Sequence, residues 1–367
     1  MTNPLQLLTE HGQSPWSDHL SRQFLRDGDL AVLVRDGIVG VTSNPTIFQA
    51  AIAGGDAYDG QLREVLRQEQ DATEVFLALA RQDIREACDF LREVFDRGER
   101  TRDGWVSLEV DPNLAYDTQA TVEQARRLHG LIDRPNLFVK IPGTEAGLVA
   151  IEESIAGGIP INVTLLFSLQ RHREAAEGYI RGLRRLKDSG EDLRSVASVA
   201  SFFVSRVDTE SDRQLEQAGG YEDLKGTLGI ANAKLAYQTY KEVFNGPDWR
   251  ELERAGASPQ RCLWASTSTK NPAYRDVMYV EQLIGPETVN TMPRETIQAF
   301  QDHGRVEDTL EHDLDGAHRT FERFAEAGID YDDVVTVLER EGVDKFADSF
   351  RKLLDGVAAK RDQLVAA

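Results

Sequence analysis

The chain has 367 residues, 41% apolar and 28% charged; that is enough apolar side chain for a large core and argues against a disordered polyelectrolyte. Asp plus Glu number 62 against 42 Lys plus Arg, a formal charge of −20; this field repels nucleic acid and anionic membrane surfaces but allows a local basic pocket. Cys88 and Cys262 are too few for a disulfide framework or a multi-cysteine zinc site. The opening MTNPLQLLTEHGQSPWSDHL and the lack of any run of about eighteen apolar residues predict no secretory leader, no membrane span and a cytoplasmic location.

In chain order, Pro15–His19 is a weak first strand and Gly37–Asn44 (GIVGVTSN) a clear second one. A capping box follows at Asp71–Glu74, with Asp71 accepting from first-turn amides and Glu74 reaching back. Behind it Leu77, Ala80, Ile84, Cys88, Leu91 and Phe95 recur at helical spacing, which reads Cys88 as core filler. Strands are then predicted at Gly104–Asp111, Asn136–Pro142, Ile159–Phe167, Val196–Val204, Arg261–Thr267 and Thr288–Pro293. All are short, rich in β-branched or aromatic residues and bounded by turn formers. Helical pattern fills Asp117–Ile132, Leu169–Asp188, Tyr221–Phe244, Val306–Ala327 and Asp332–Ala366. The polar stretch Asp208–Gly220 reads as a loop or helix end.

Strands alternating with helices imply parallel βαβ units. Neither G-x-G-x-x-G nor a Walker loop is present, so the pattern favours an α/β fold of the (β/α)8 TIM barrel type with extra C-terminal helices over an open doubly wound sheet. No linker or repeat divides the chain. Residues 1–367 read as one barrel domain, with 294–367 as appended helices packed on it.

A barrel gathers its chemistry at the C-terminal strand ends. There the sequence places Asn44, Glu109, Asp111, Lys140, Asn162, Thr164, Ser201, Arg206 and Ser266, polar residues within or just beyond apolar runs. Lys140 interrupts a buried strand pattern. Burial favours the neutral amine, a nucleophile able to form a Schiff base with a carbonyl; a snorkelling lysine or an ion pair with Glu109 fits the strand equally well. Glu109 could shuttle protons through a bound water. Arg206, leaving a strand among hydroxyls, suits a phosphate or a surface salt bridge. Ser266 to Lys270 is a second phosphate cradle or a plain polar loop. Asn162 and Thr164 alternate with Ile161 and Val163 and face the barrel interior, as ligand contacts or as a satisfied polar core. The seven histidines form no ligand cluster at metal spacing, so no metal is assigned.

Taken together, these segments resemble the transaldolases. The resemblance rests on Val41–Phe48 (VTSNPTIF), Leu108–Pro112 (LEVDP), Val139–Pro142 (VKIP), Ile161–Ser168 (INVTLLFS) and Ser201–Arg206 (SFFVSR), in the family's order and near its spacing, from about Trp16 to Pro293. Trp264–Thr267 and Asn271–Tyr274 resemble the longer bacterial subfamily. The resemblance implies a cofactor-free barrel enzyme of the pentose phosphate pathway acting on phosphorylated sugars. It would move a dihydroxyacetone unit from sedoheptulose 7-phosphate to glyceraldehyde 3-phosphate, giving erythrose 4-phosphate and fructose 6-phosphate. It further implies Lys140 as the Schiff-base lysine and Glu109 as the carboxylate acting through a water that Thr164 helps hold. Asn44 and Asn162 would hold the donor hydroxyls, Ser201 would orient the donor and Arg206 would bind phosphate. The family's second acid/base aspartate falls at Asp18, with Asp27 and Asp29 as fallbacks that read as a helix end. Shorter members carry a second phosphate arginine after the seventh strand; here Ser266 and Lys270 stand instead. Two alternatives share the residues: a fructose 6-phosphate aldolase, and a barrel that binds sugar phosphates without turnover.

Overall fold

Eight short runs of the chain, buried from end to end or nearly so, form the strands of a closed parallel barrel in the computed structural model, which describes residues 3–43, 45–97 and 102–366. They are β1 (Gln13–Ser17), β2 (Gly40–Thr42), β3 (Trp105–Glu109), β4 (Leu137–Pro142), β5 (Ile161–Leu166), β6 (Ser198–Phe203), β7 (Arg261–Ala265) and β8 (Thr288–Met292). β8 closes the barrel on β1 in register from Gln13 opposite Thr288 to Ser17 opposite Met292. The fold is the expected (β/α)8 barrel, helices surrounding the strands and following them in sequence.

Two-residue alternation divides each strand between two environments. Val106, Leu108, Val139, Ile141, Ile161 and Val163 share one core cluster with Cys88, Leu128, Ile151 and Leu183 of the surrounding helices. Trp16, Trp105, Phe138, Val199, Leu263 and Val289 form a second cluster. Trp105 stacks on Phe138 with centroids 4.0 Å apart, and Trp16 lies 6.2 Å from the same ring. Gly40 makes room for Trp16: a Cβ there would sit 2.4 Å from indole Cε2. Two residues along from this aromatic layer, the same face of β3 and β4 turns polar, at Ser107 and Lys140.

The helix Tyr331–Ala366 packs against Pro45–Ala53, Ala72–Phe90 and Ser205–Ala218, helices that follow β2 and β6. Its Phe350, Leu353 and Val357 are buried in the main core, with the Phe350 ring 5.9 Å from Phe76. Thr46 Oγ1 donates to Ser349 Oγ at 3.0 Å, and Lys360 pairs with Asp59 at 2.8 Å.

Several expectations need correction. Asp71 does cap its helix, accepting from Thr73 and Glu74 N–H, but Glu74 does not reach back; it pairs with Arg127, and Glu69 takes the Asp71 N–H at 2.8 Å. The stripe through Phe95 is broken at Leu91, the cap between Ala72–Phe90 and a short helix Arg92–Arg97. Asp208–Gly220 is no loop: Ser205–Ala218 is helical, and its polarity hid it because Asp208 and Ser211 occupy its buried face. Tyr221–Phe244 holds a short 3-10 turn at Glu222–Leu224 and becomes α-helical only from Leu228, after Tyr221 adopts a left-handed conformation and Gly226 turns the chain. Val306–Ala327 begins its helix at Leu314, capped by Asp313, which is left-handed and accepts from Gly316 N–H.

Candidate active site

The strand register sets the centre of the site. Lys140 is paired with Glu109 across β3–β4 and with Asn162 across β4–β5, so one row of the barrel carries an amine between a carboxylate and an amide. Lys140 Nζ lies 3.3 Å from Glu109 Oε2 and donates to the Ser43 carbonyl at 3.2 Å. Both side chains are nearly out of solvent, 7% and 6% exposed. Burial pushes the Glu109 carboxyl up from its ordinary value, and the Lys140 and Arg206 charges pull it part of the way back.

Asn162 is fixed on both sides. Its Nδ2 donates to Ser107 Oγ at 3.1 Å and its Oδ1 accepts from Ser201 Oγ at 2.6 Å. Thr164, paired with Pro142, reaches the same cavity; its buried Oγ1 has no hydrogen-bond partner among the described residues. Just beyond it the β5–β6 register shifts between Val163 and Leu166, and Leu165 takes φ +59°. A non-glycine residue in this conformation costs about 1–3 kcal/mol. The irregularity sends Leu165 out of the strand's alternation and into the cluster that includes Phe167, Val335 and Leu338.

A cavity of about 510 Å³ opens over this row, lined by Lys140, Thr164, Ser201, Arg206, Ser266 and Lys270 among others. Asp18, just past β1, lines it too; burial and the Glu295 charge raise its carboxyl to about 6, against the pull of Lys140 and Lys270. Arg206 is the second residue of its helix, its guanidinium 5.1 Å from the Phe203 ring. Ser266 has φ +57°; its Oγ lies 2.9 Å from Ser205 Oγ, and its carbonyl accepts from Ser205 N–H at 3.1 Å. The end of β7 is thereby tied to the N-terminus of the arginine's helix, where the helix dipole favours an anion. Lys270 Nζ donates to Ser268 Oγ at 2.7 Å. Behind this loop, Asp208 accepts from Tyr279 Oη at 2.7 Å and Gly229 N–H at 2.6 Å, and Asp212 accepts from Tyr274 Oη at 2.5 Å.

The structure therefore brings Asp18, Lys140, Thr164, Ser201, Arg206, Ser266 and Lys270 to one cavity, with Glu109 and Asn162 bonded to residues of that set. Asn44 lies outside the described residues. Asp27 caps one short helix and Asp29 begins the next, as read from the sequence.

Arg294 and Phe346 are among the cavity residues that escaped the sequence reading. Arg294 follows β8, pairs with Asp29 at 2.9 Å and lies 5.5 Å from the Phe24 ring. Its place one residue beyond Pro293, just past a strand end, was the available signal. Phe346 comes from the helix Tyr331–Ala366, where nothing in the sequence sets it apart from a core aromatic.

A family profile described as Transaldolase/Fructose-6-phosphate aldolase matches residues 15–357. The chain is 50% identical over 360 residues to a protein named Transaldolase from Acidothermus cellulolyticus, covering 97% of this chain and 96% of that one. It is 47% identical over 368 residues to Transaldolase 2 of Streptomyces coelicolor, covering 99% of each. With Transaldolase of Thermobifida fusca the identity is 49% over 362 residues, 98% of each chain.

Proposed function

The chain belongs to the transaldolase family, and from that premise we propose that it transfers dihydroxyacetone from sedoheptulose 7-phosphate to glyceraldehyde 3-phosphate through a Schiff base on Lys140. The observation that carries the reading is the buried Lys140–Glu109 pair, 3.3 Å apart and beside a cavity lined with hydroxyls and cations.

In this reading Lys140 Nζ adds to the donor's ketone carbon. Glu109, its carboxyl raised by burial, is suited to hold and return protons as the carbinolamine loses water. Thr164 Oγ1, buried and otherwise unbonded, holds the water through which that proton passes. Asp18 takes the proton of the hydroxyl next to the bond that breaks. The electron pair of that carbon–carbon bond moves into the protonated imine, leaving an enamine on Lys140 and releasing erythrose 4-phosphate. Addition to glyceraldehyde 3-phosphate reverses these steps and gives fructose 6-phosphate.

Asn162, locked by Ser107 and Ser201, presents fixed polar atoms to the dihydroxyacetone hydroxyls, with Asn44 assigned the same task from its motif. Arg206, Ser266 and Lys270 take the phosphate: a fork of N–H donors, a hydroxyl and a point charge.

Borohydride reduction in the presence of fructose 6-phosphate, followed by peptide mass spectrometry, tests this directly. A three-carbon adduct is expected on Lys140, and Lys140→Ala is expected to lower kcat by about four orders of magnitude or more. An adduct on another lysine, or none on the folded protein, overturns the assignment. Free dihydroxyacetone as the main product with acceptor present would make the enzyme an aldolase.

A further inference from the structure

Phe346 is a feature of the cavity that the chemistry above leaves unused. Its ring lies 5.8 Å from Lys140 Nζ and 5.9 Å from Arg206 Cζ, so one aromatic face spans the two cations assigned to the two ends of the substrate. It is half-buried and packs against the cluster that contains Phe203 and Leu165.

The helix that carries it is placed to hold it there. Gly342, one turn earlier on the same face, lets the helix approach β5: a Cβ at that position would meet Leu165 Cδ2 at 3.2 Å. Further along, Thr46 donates to Ser349, and Phe350 and Leu353 are buried in the main core. The ring is thus a fixed part of the cavity wall, carried by a packed helix.

We propose that Phe346 is a positioning residue: it roofs the space between Lys140 and Arg206 and keeps bulk solvent and its protons from the enamine, so that the bound three-carbon unit is transferred rather than released. The inference rests on the Schiff-base reading of Lys140. Release needs one step that transfer does not. The nucleophilic carbon of the enamine takes a proton, giving the iminium of dihydroxyacetone. The hydrolysis that follows, in which water adds to the iminium carbon and the carbon–nitrogen bond breaks to leave a ketone and the lysine amine, is shared with transfer, whose ketose product leaves Lys140 in the same way through the water assigned to Thr164 and Glu109. The protonation needs a solvent-borne proton at the enamine carbon beside Lys140, and an apolar ring over the space between Lys140 and Arg206 denies it.

The experiment measures free dihydroxyacetone against transferred product, with fructose 6-phosphate as donor and erythrose 4-phosphate as acceptor. Phe346→Ala is expected to raise the release-to-transfer ratio by about tenfold, a change of about 1.4 kcal/mol in relative barriers. Phe346→Gln, similar in reach but polar, should move the ratio in the same direction and serves if the alanine variant fails to fold. Phe346→Leu, which restores an apolar roof, should bring the ratio back to within about twofold of the parent. The inference is overturned if Phe346→Ala and Phe346→Gln leave the ratio unchanged while borohydride still traps the adduct on Lys140, or if release and transfer fall together. A parent enzyme that yields no adduct on Lys140 overturns the Schiff-base reading, and this inference with it.

Discussion

Asp18 and Glu109 are two carboxyls whose ordinary values both rise in this cavity, yet they are assigned opposite duties. Glu109 is held beside the amine; Asp18 stands past β1, raised by burial and by Glu295 and lowered by Lys140 and Lys270 to about 6. In its proposed role as a base in donor cleavage Asp18 works in its ionised form. The acid limb of the kcat/KM profile for the cleaved donor should therefore fall with an apparent pKa near 6, and Asp18→Asn should lower the rate by about 10²–10⁴-fold. Glu295→Gln should move that limb toward lower pH, because it removes a neighbour that disfavours the Asp18 anion. A limb that ignores both substitutions would take the role from Asp18.

Among elements, the strands were the most legible, for a physical reason. Barrel strands are enclosed on both faces, so each reads as a short apolar run, and a polar residue within it, such as Lys140 or Asn162, stands out. Their ends were less legible: the Gly37–Asn44 expectation shrinks to Gly40–Thr42. Polar helices were hardest, because Ser205–Ala218 buries carboxyl and hydroxyl groups where a pattern reader looks for leucine. At the bottom of the site Gly40 has a role that its strand's apolar pattern conceals. Gly40→Ala would set a methyl carbon against the Trp16 indole and should destabilise the fold by about 1–3 kcal/mol, readable as a lower urea midpoint. A smaller residue at Trp16 should offset part of that loss, since the two positions share one volume.

At the scale of the whole molecule, the site depends on contacts that no local motif contains. Arg206 and Lys140 were legible as charges at strand ends, but the ring over them comes from the far end of the sequence, and Arg294 reaches the same cavity from β8. The loop carrying Lys270 is likewise held from a distance, through Tyr279 on Asp208 and Tyr274 on Asp212. Burial lifts the Asp208 carboxyl to about 7, above its ordinary 3.8, so the folded chain holds this proton more tightly than the unfolded one. The corresponding stability is complete below about pH 4 and is lost as pH rises through about 7. Asp208→Asn should flatten that part of the melting-temperature profile; a profile with its slope intact would place the titration elsewhere.

The β1–β8 seam also has a consequence in time. Gln13–Ser17 is paired along its whole length with Thr288–Met292, whereas only Ser17 is in register with β2, at Val41. During synthesis β1 must therefore wait, nearly unpaired, while some 270 residues emerge behind it, which at about 5–20 residues per second is a delay of tens of seconds. In the later part of that interval Lys140, Asn162 and Ser201 can lie in a growing sheet that has two open edges. Asp18 is translated early but gains its place only when Met292 arrives to accept its N–H, and Phe346 arrives later still. A ribosome-bound chain would thus carry the proposed nucleophile well before it could protect an intermediate formed there.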